Sequence, residues 1–202
     1  MIQTIIFDLG GVLIKWDPKL LYRKIFPDEK EMNMFLSEVC TMDWNEQQDA
    51  GRTWKDGIAE LTPKYPQYER EINAYFRRWP EMLGGAIHET VVLLEQLKAS
   101  KKYRLYALTN WSAETFPFAQ RQFSFLQHFE GILVSGEEKL KKPDPKIYQL
   151  LFSRYSIDPA TALFIDDSLR NIKAAEQVGL QVHHFTESEK LRVELKRLLT
   201  NG

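Results

Sequence analysis

The sequence predicts an α/β fold in which a parallel sheet is covered by helices on both faces, with an all-helical segment inserted near its start. Three observations carry this prediction. Short β-rich apolar runs alternate with helical periodicity through most of the C-terminal half. The interval from about residue 17 to 84 has no convincing strand pattern and is punctuated by Pro27, Gly51, Pro63, Pro66 and Pro80. A chain of 202 residues with 44% hydrophobic content has enough apolar material for one sizeable core.

Taken in order, the strand runs are residues 3–7, 103–108, 131–134, 162–165 and 181–185. Each is too short for a helix and mostly apolar or β-branched, as buried parallel strands are. Between them, residues 87–97, 145–155 and 169–178 place apolar side chains at three- and four-residue spacing, and Gly179 supplies the helix stop. Asp17-Pro18 opens the inserted helices, with the acid as cap and proline in the first turn, and Gly84-Gly85 marks the return. The expected division is a core of residues 1–16 and 85–202 around a helical unit of residues 17–84. The mixed-charge stretch 187–199 reads as an amphipathic closing helix.

Charge and composition narrow the partners. The 27 Lys+Arg balance 28 Asp+Glu to a net charge of −1, which gives no footprint for nucleic acid or an anionic membrane surface. No apolar run approaches the roughly 18 residues of a membrane span. The lone Cys40 has no internal disulfide partner, and no leader-like segment precedes the first strand. The expectation is a cytoplasmic monomer or homodimer acting on a small molecule.

In an open parallel sheet, ligands bind beyond the carboxyl ends of the strands where strand order reverses. Those ends are polar here: Asp8 after the first strand, Thr109-Asn110 after the second, Lys141-Lys142-Pro143 beyond the third and Asp166-Asp167-Ser168 after the fourth. Singly, each could be a cap or turn residue. Together they suit phosphoryl transfer through a carboxylate nucleophile. A carboxylate is ionised at neutral pH without a helper base and can attack phosphorus directly. Asp8 is the candidate. Its target is anionic, so the attack needs offsetting positive charge from Mg²⁺, with Asp8, Asp167, the Gly10 carbonyl and Asp166, directly or through its neighbours, as the expected metal residues. Lys142 would neutralise charge at the nucleophile, and Thr109 and Asn110 would donate hydrogen bonds to phosphate.

Gly10-Gly11 permits a sharp turn beside Asp8, but neither a dinucleotide nor a phosphate-loop glycine pattern is present. His183-His184 alternate sides of a strand and lack a third ligand at suitable spacing. In the inserted unit, Trp16, Trp44, Asn45, Glu46 and Trp54 are candidates for substrate contact, though a small helical unit also needs aromatics for its own core. Trp111, just after Asn110, is expected at the entrance to the site.

Four segments in order, 6–12 (IFDLGGV), 108–110 (LTN), 142–145 (KPDP) and 164–168 (FIDDS), resemble the haloacid dehalogenase-like hydrolase superfamily over nearly the whole chain. The resemblance implies a Rossmann-like core, a helical cap inserted after the first segment and, most often, Mg²⁺-dependent phosphatase activity. It implies Asp8 as nucleophile, Thr109 as phosphate binder and Lys142 as the family's lysine. The nearest likeness is to small sugar-phosphate phosphatases with Asp-Leu-Gly in the first segment, a subgroup that Asn171 also fits. One departure stands out. Phosphatases of this superfamily mostly place a general acid two residues after the nucleophile, where this chain has Gly10. Three explanations are open: a leaving group needing little protonation, an acid delivered by the cap, such as Asp17, Asp43 or Glu46, or another reaction. Hydrolytic dehalogenation of a 2-haloacid is that other reaction, since a halide leaves without a proton. A non-catalytic phosphate-binding protein is the further alternative.

Overall fold

In the computed structural model, which describes residues 1–200 and their side chains through 197, the strands are β1 (Thr4–Phe7), β2 (Ile14–Trp16), β3 (Leu83–Ala86), β4 (Arg104–Thr109), β5 (Gly131–Val134), β6 (Ala162–Asp166) and β7 (Gln181–His184). Five of these form one parallel sheet in the order β5-β4-β1-β6-β7, with Phe7 level with Ala107 on one side and Ile165 on the other. Strand order reverses at β1 and β6. The residues leaving these two strands therefore face one crevice at the carboxyl edge.

Alternation of side chains explains the two layers of core. Ile5 and Phe7 point to the face covered by helices His88–Ser100 and Ser188–Thr200, where Leu93, Leu94, Leu97, Leu191 and Leu195 are buried with them. Ile6 points the other way, into Ile147, Tyr148 and Leu151 of helix Pro145–Tyr155 and Ile172 and Ala175 of helix Leu169–Gln177. The predicted strands and helices agree with these spans to within a few residues. Gly179, at φ +91°, ends the last core helix in the left-handed conformation that glycine tolerates.

Between β2 and β3 the chain folds into the helices Lys19–Tyr22, Glu29–Met34, Met42–Asp49, Trp54–Leu61 and Glu69–Arg77 with shorter helical turns. The Asp17 carboxylate accepts the Lys19 amide at 2.8 Å, as expected for a helix start. Tyr22, Phe35, Trp44, Trp54 and Tyr75 form a connected aromatic core in this insertion, with Trp54 stacked on Tyr75 at 5.4 Å and on Phe76 at 5.5 Å. One feature departs from expectation. β3 begins inside the segment read as strand-free and pairs antiparallel with β2, so the insertion joins the core through a two-stranded ribbon. Leu-Gly-Gly-Ala has little intrinsic strand preference; pairing with Ile14–Trp16 imposes it. Among the described residues, no helix is long and apolar enough to cross a membrane.

The loops after β4 and β5 are packed backbone to backbone. A Cβ on Gly136 would lie 2.4 Å from the Ala113 nitrogen and 2.7 Å from the Trp111 oxygen. Gly136→Ala is expected to lower unfolding free energy by about 1–3 kcal/mol, read as a drop in urea midpoint, because backbone rather than a flexible side chain must move.

Candidate active site

Asp8 leaves β1 almost completely buried. Its Oδ1 accepts the Leu9 amide at 2.7 Å, and Lys142 Nζ lies 2.9 Å from its Oδ2. Lys142 is itself fully buried. Its ammonium also reaches Asp166 Oδ2 at 2.7 Å and donates to the Leu108 carbonyl at 2.9 Å, so three acceptors surround a group with three protons. The remaining acceptor capacity of Asp166 is taken up by the Ser168 amide at 2.8 Å and the Asn171 carboxamide at 3.1 Å. Asn171 thus helps to fix the acidic loop. Asp166 is tied down by its neighbours, whereas Asp167 is exposed.

Asp8, Asp166 and Asp167 each offer a carboxylate oxygen, and these oxygens lie within 4.8 Å of one another. Three acids face one lysine. Burial pushes Asp8 up to about 8 against the pull of Lys142, and the charges of Asp166 and Asp167 add to the rise. Asp167, though exposed at its surface side, is raised as well, by partial loss of surrounding water and then by the Asp166 charge. A cluster of oxygen ligands with uncompensated negative charge fits a hard divalent cation. Gly11 brings Asp167 against the first loop: at φ +74°, a Cβ there would lie 2.1 Å from Asp167 Oδ2. Gly10 sits beside this cluster, and a Cβ added to it would meet nothing within 4 Å.

The Thr109 hydroxyl, at the end of β4, is buried without a hydrogen-bond partner, an arrangement that suits an incoming phosphate oxygen. Asn110 is engaged within the protein. Its carboxamide donates to the Lys142 carbonyl and accepts the Lys142 amide, each at 2.9 Å, so it clamps the backbone that carries the lysine. The side chain's first task is positioning, because these two bonds lock its orientation.

A cavity of about 190 Å³ opens over Asp8 and Gly10, lined also by Trp16, Met42, Asn45, Glu46, Asp49, Trp79, Asn110 and Trp111. Trp111 lines this cavity, its ring 5.4 Å from Trp79. Trp16, Asn45 and Glu46 reach the cavity too, whereas Trp44 and Trp54 belong to the aromatic core of the insertion, and Trp54 Nε1 donates to Ser112 at 3.0 Å. Of the acids expected from the insertion, Asp17 caps a helix and Asp43 lines a separate groove. Glu46 bonds Lys141 and, at 2.7 Å, Arg170, tying the insertion to the core. Sequence reasoning passed over Met42, Asp49 and Trp79. Met42, Asn45, Glu46 and Asp49 follow the i, i+3, i+4, i+7 rule, one face of a single helix, and that periodicity was the available signal.

Removing the buried ammonium leaves Asp166 without its charged partner. Lys142→Met is expected to cost about 3–5 kcal/mol of stability, measured by urea unfolding in EDTA, despite the similar side-chain volume.

Comparison with known proteins agrees with this geometry. A family model described as haloacid dehalogenase-like hydrolase matches residues 2–179. The sesquiterpene phosphatase astK of Aspergillus oryzae is 29% identical over 98% of this chain and 96% of its own. A phosphorylated carbohydrates phosphatase of Thermotoga maritima is 20% identical over 94% of this chain and 89% of its own. Among solved structures, the magnesium complex of the HAD family enzyme bt-2542 from Bacteroides thetaiotaomicron superimposes with a TM-score of 0.72 at 26% identity, covering 92% of this chain and 93% of that one. With the extent of the family match and the placement of Asp8, Thr109, Lys142 and Asp167 at one sheet edge, the chain belongs to the haloacid dehalogenase-like hydrolases.

Proposed function

We propose that this hydrolase is a Mg²⁺-dependent phosphatase acting on a small phosphate monoester through an aspartyl-phosphate on Asp8. The observation that carries the reading is the meeting, at one sheet edge beside the cavity that Asp8 lines, of a lysine-held carboxylate, a cluster of three acids and an unpartnered threonine hydroxyl. Asp8, Asp167 and the Gly10 carbonyl would hold the cation, with Asp166 supporting them. Bound Mg²⁺ supplies positive charge that keeps Asp8 anionic and offsets the charge of the phosphate. An Asp8 carboxylate oxygen bonds to phosphorus as the bond to the leaving oxygen breaks. Water then attacks phosphorus, the bond to Asp8 breaks, and inorganic phosphate departs. Thr109 donates to a phosphate oxygen, and Lys142 offsets charge at the nucleophile. Residues 17–84 act as the cap that selects the leaving group and limits bulk water.

The cavity wall favours an apolar organic group. Trp16, Met42, Trp79 and Trp111 give the cavity a largely apolar lining, and a sesquiterpene phosphatase is a full-length relative. Asn45, Asn110 and the unpartnered indole nitrogens of Trp16 and Trp111 support a sugar phosphate as the second reading, in line with the carbohydrate phosphatase relative. Metal-independent dehalogenation is disfavoured because the acid cluster would repel a haloacid carboxylate. A purely binding role leaves the placement of Asp8 against Lys142 without a purpose.

Purified protein is expected to release phosphate with Mg²⁺ and to lose that activity in EDTA; halide release without metal would overturn the reading. Asp8→Asn should abolish turnover while the circular dichroism spectrum stays unchanged. An isoprenyl monophosphate should exceed a hexose 1-phosphate in kcat/KM by about tenfold or more, equivalent to roughly 1.4 kcal/mol of differential transition-state binding. The reverse preference would select the sugar phosphate.

A further inference from the structure

We propose that Asp49, carried by the inserted helices, is the general acid and base of the reaction, taking the part that Gly10 cannot play. The inference rests on the phosphatase reading and adds the residue that protonates the leaving group.

Position makes the first case. The cavity holds three acids, Asp8, Glu46 and Asp49, among the described residues. Asp8 is committed to attack. Glu46 is held by Lys141 and Arg170; burial alone would raise it, but these hydrogen bonds and charges bring its carboxyl below the usual range, so it has no proton to give at neutral pH. Asp49 is the acid that remains. It is the last residue of helix Met42–Asp49, on the same face as Met42, Asn45 and Glu46.

The second case is the way this residue is held. Ser135, fully buried at the end of β5, donates to the Asp49 carbonyl and accepts the Trp111 amide at 2.9 Å. One serine therefore fixes the end of the cap helix against the loop that follows Thr109. Asn45 Nδ2 lies 3.3 Å from Asp49 Oδ2, and the Ser112 amide faces the same carboxyl. No lysine or arginine forms an ion pair with it within 4.0 Å among the described residues.

Its titration is compatible with the role. Burial pushes Asp49 up to about 7; the Lys141 charge and the Ser112 amide oppose the rise, and Glu46 adds to it. Tyr75, the other titratable group beside it, is neutral throughout this range, its own value held well above 10 by burial. Asp49 thus carries a proton below about pH 7 and surrenders it above.

The balance of the step follows. As the bond between phosphorus and the leaving oxygen breaks, the Asp49 proton passes to that oxygen and the product leaves as a neutral alcohol. The resulting Asp49 carboxylate takes a proton from the water that attacks the aspartyl-phosphate. Inorganic phosphate is released, and both aspartates return to their starting states.

The test compares leaving groups in the Mg²⁺-loaded enzyme, using hexyl phosphate and 4-nitrophenyl phosphate. Asp49→Asn should reduce kcat/KM for hexyl phosphate by about 10²–10⁴-fold, since an alkoxide needs its proton. The nitrophenolate burst, whose leaving group departs unprotonated, should be little changed. Adding Gly10→Asp to Asp49→Asn should recover hexyl phosphate turnover, because the space beside Gly10 admits a side chain. Equal losses on the two esters, or no loss on either, would overturn the assignment of Asp49 alone. Wild-type enzyme is a second check that needs no variant to fold: kcat/KM for hexyl phosphate should fall above about pH 7 more steeply than for the nitrophenyl ester, and parallel profiles would overturn the assignment. If wild-type protein with Mg²⁺ releases phosphate from neither ester, the phosphatase reading falls and this inference with it.

Discussion

The ammonium of Lys142 is the contact on which the rest of the site depends. It joins Asp8, from the first strand, to Asp166, from the sixth, while the Leu108 carbonyl of the fourth accepts its third proton. A lone lysine without solvent would be costly to bury, and so would either carboxylate. Meeting at the switch point of the sheet, they can be buried together. The surrounding bonds serve this arrangement: Asn110 fixes the lysine backbone from both sides, and Asn171 and the Ser168 amide fix Asp166. Asp8 is consequently held before any substrate arrives, and preorganisation of this kind is a large part of what an enzyme supplies in charge-transferring reactions.

The inserted helices complete the site and do not merely cover it. Trp54 reaches Ser112, Glu114 accepts the Trp54 amide at 2.8 Å, Glu46 binds Lys141 and Arg170, and Ser135 holds the Asp49 carbonyl. Glu46 and Asp49 among these residues also line the cavity, so part of the junction between insertion and core borders the site. These contacts are polar and include partly exposed ion pairs, which individually contribute little to stability. The aromatic core that holds the insertion together is buried and extensive. The unit thus packs around its own aromatic core and joins the sheet domain both through these polar bonds and through the Trp79–Trp111 ring contact.

Gly10 and Asp49 describe one division of labour. On the proposed mechanism the core would handle phosphate and nucleophile, while the cap would bring Met42 and Trp79 of the apolar wall together with a protonated acid. Specificity and proton transfer would then be linked, because a substrate that fails to seat the cap would also lack its acid.

The strands and their polar ends were legible because burial on both faces forces continuous apolar runs, and because chemistry in this topology must collect where those runs stop. Asp8, Thr109, Lys142 and Asp167 follow from that rule without any knowledge of side-chain contacts. Asn110 could be placed at the edge but not given its bond to Lys142, since 32 residues separate them. The ribbon of β2 and β3 was hidden because its strands are stabilised by each other and scarcely by their own residues. Asp49 was hidden for a related reason: on an isolated helix it is one more polar residue near a C-terminus, and the groups it meets, the Ser112 amide and the Ser135 hydroxyl, belong to distant parts of the chain. Sequence alone determined the sheet, the inserted helices and the reacting edge, through local pattern. Tertiary structure alone decided which acids lose water and which keep a charged partner, because desolvation depends on neighbours that only folding brings together.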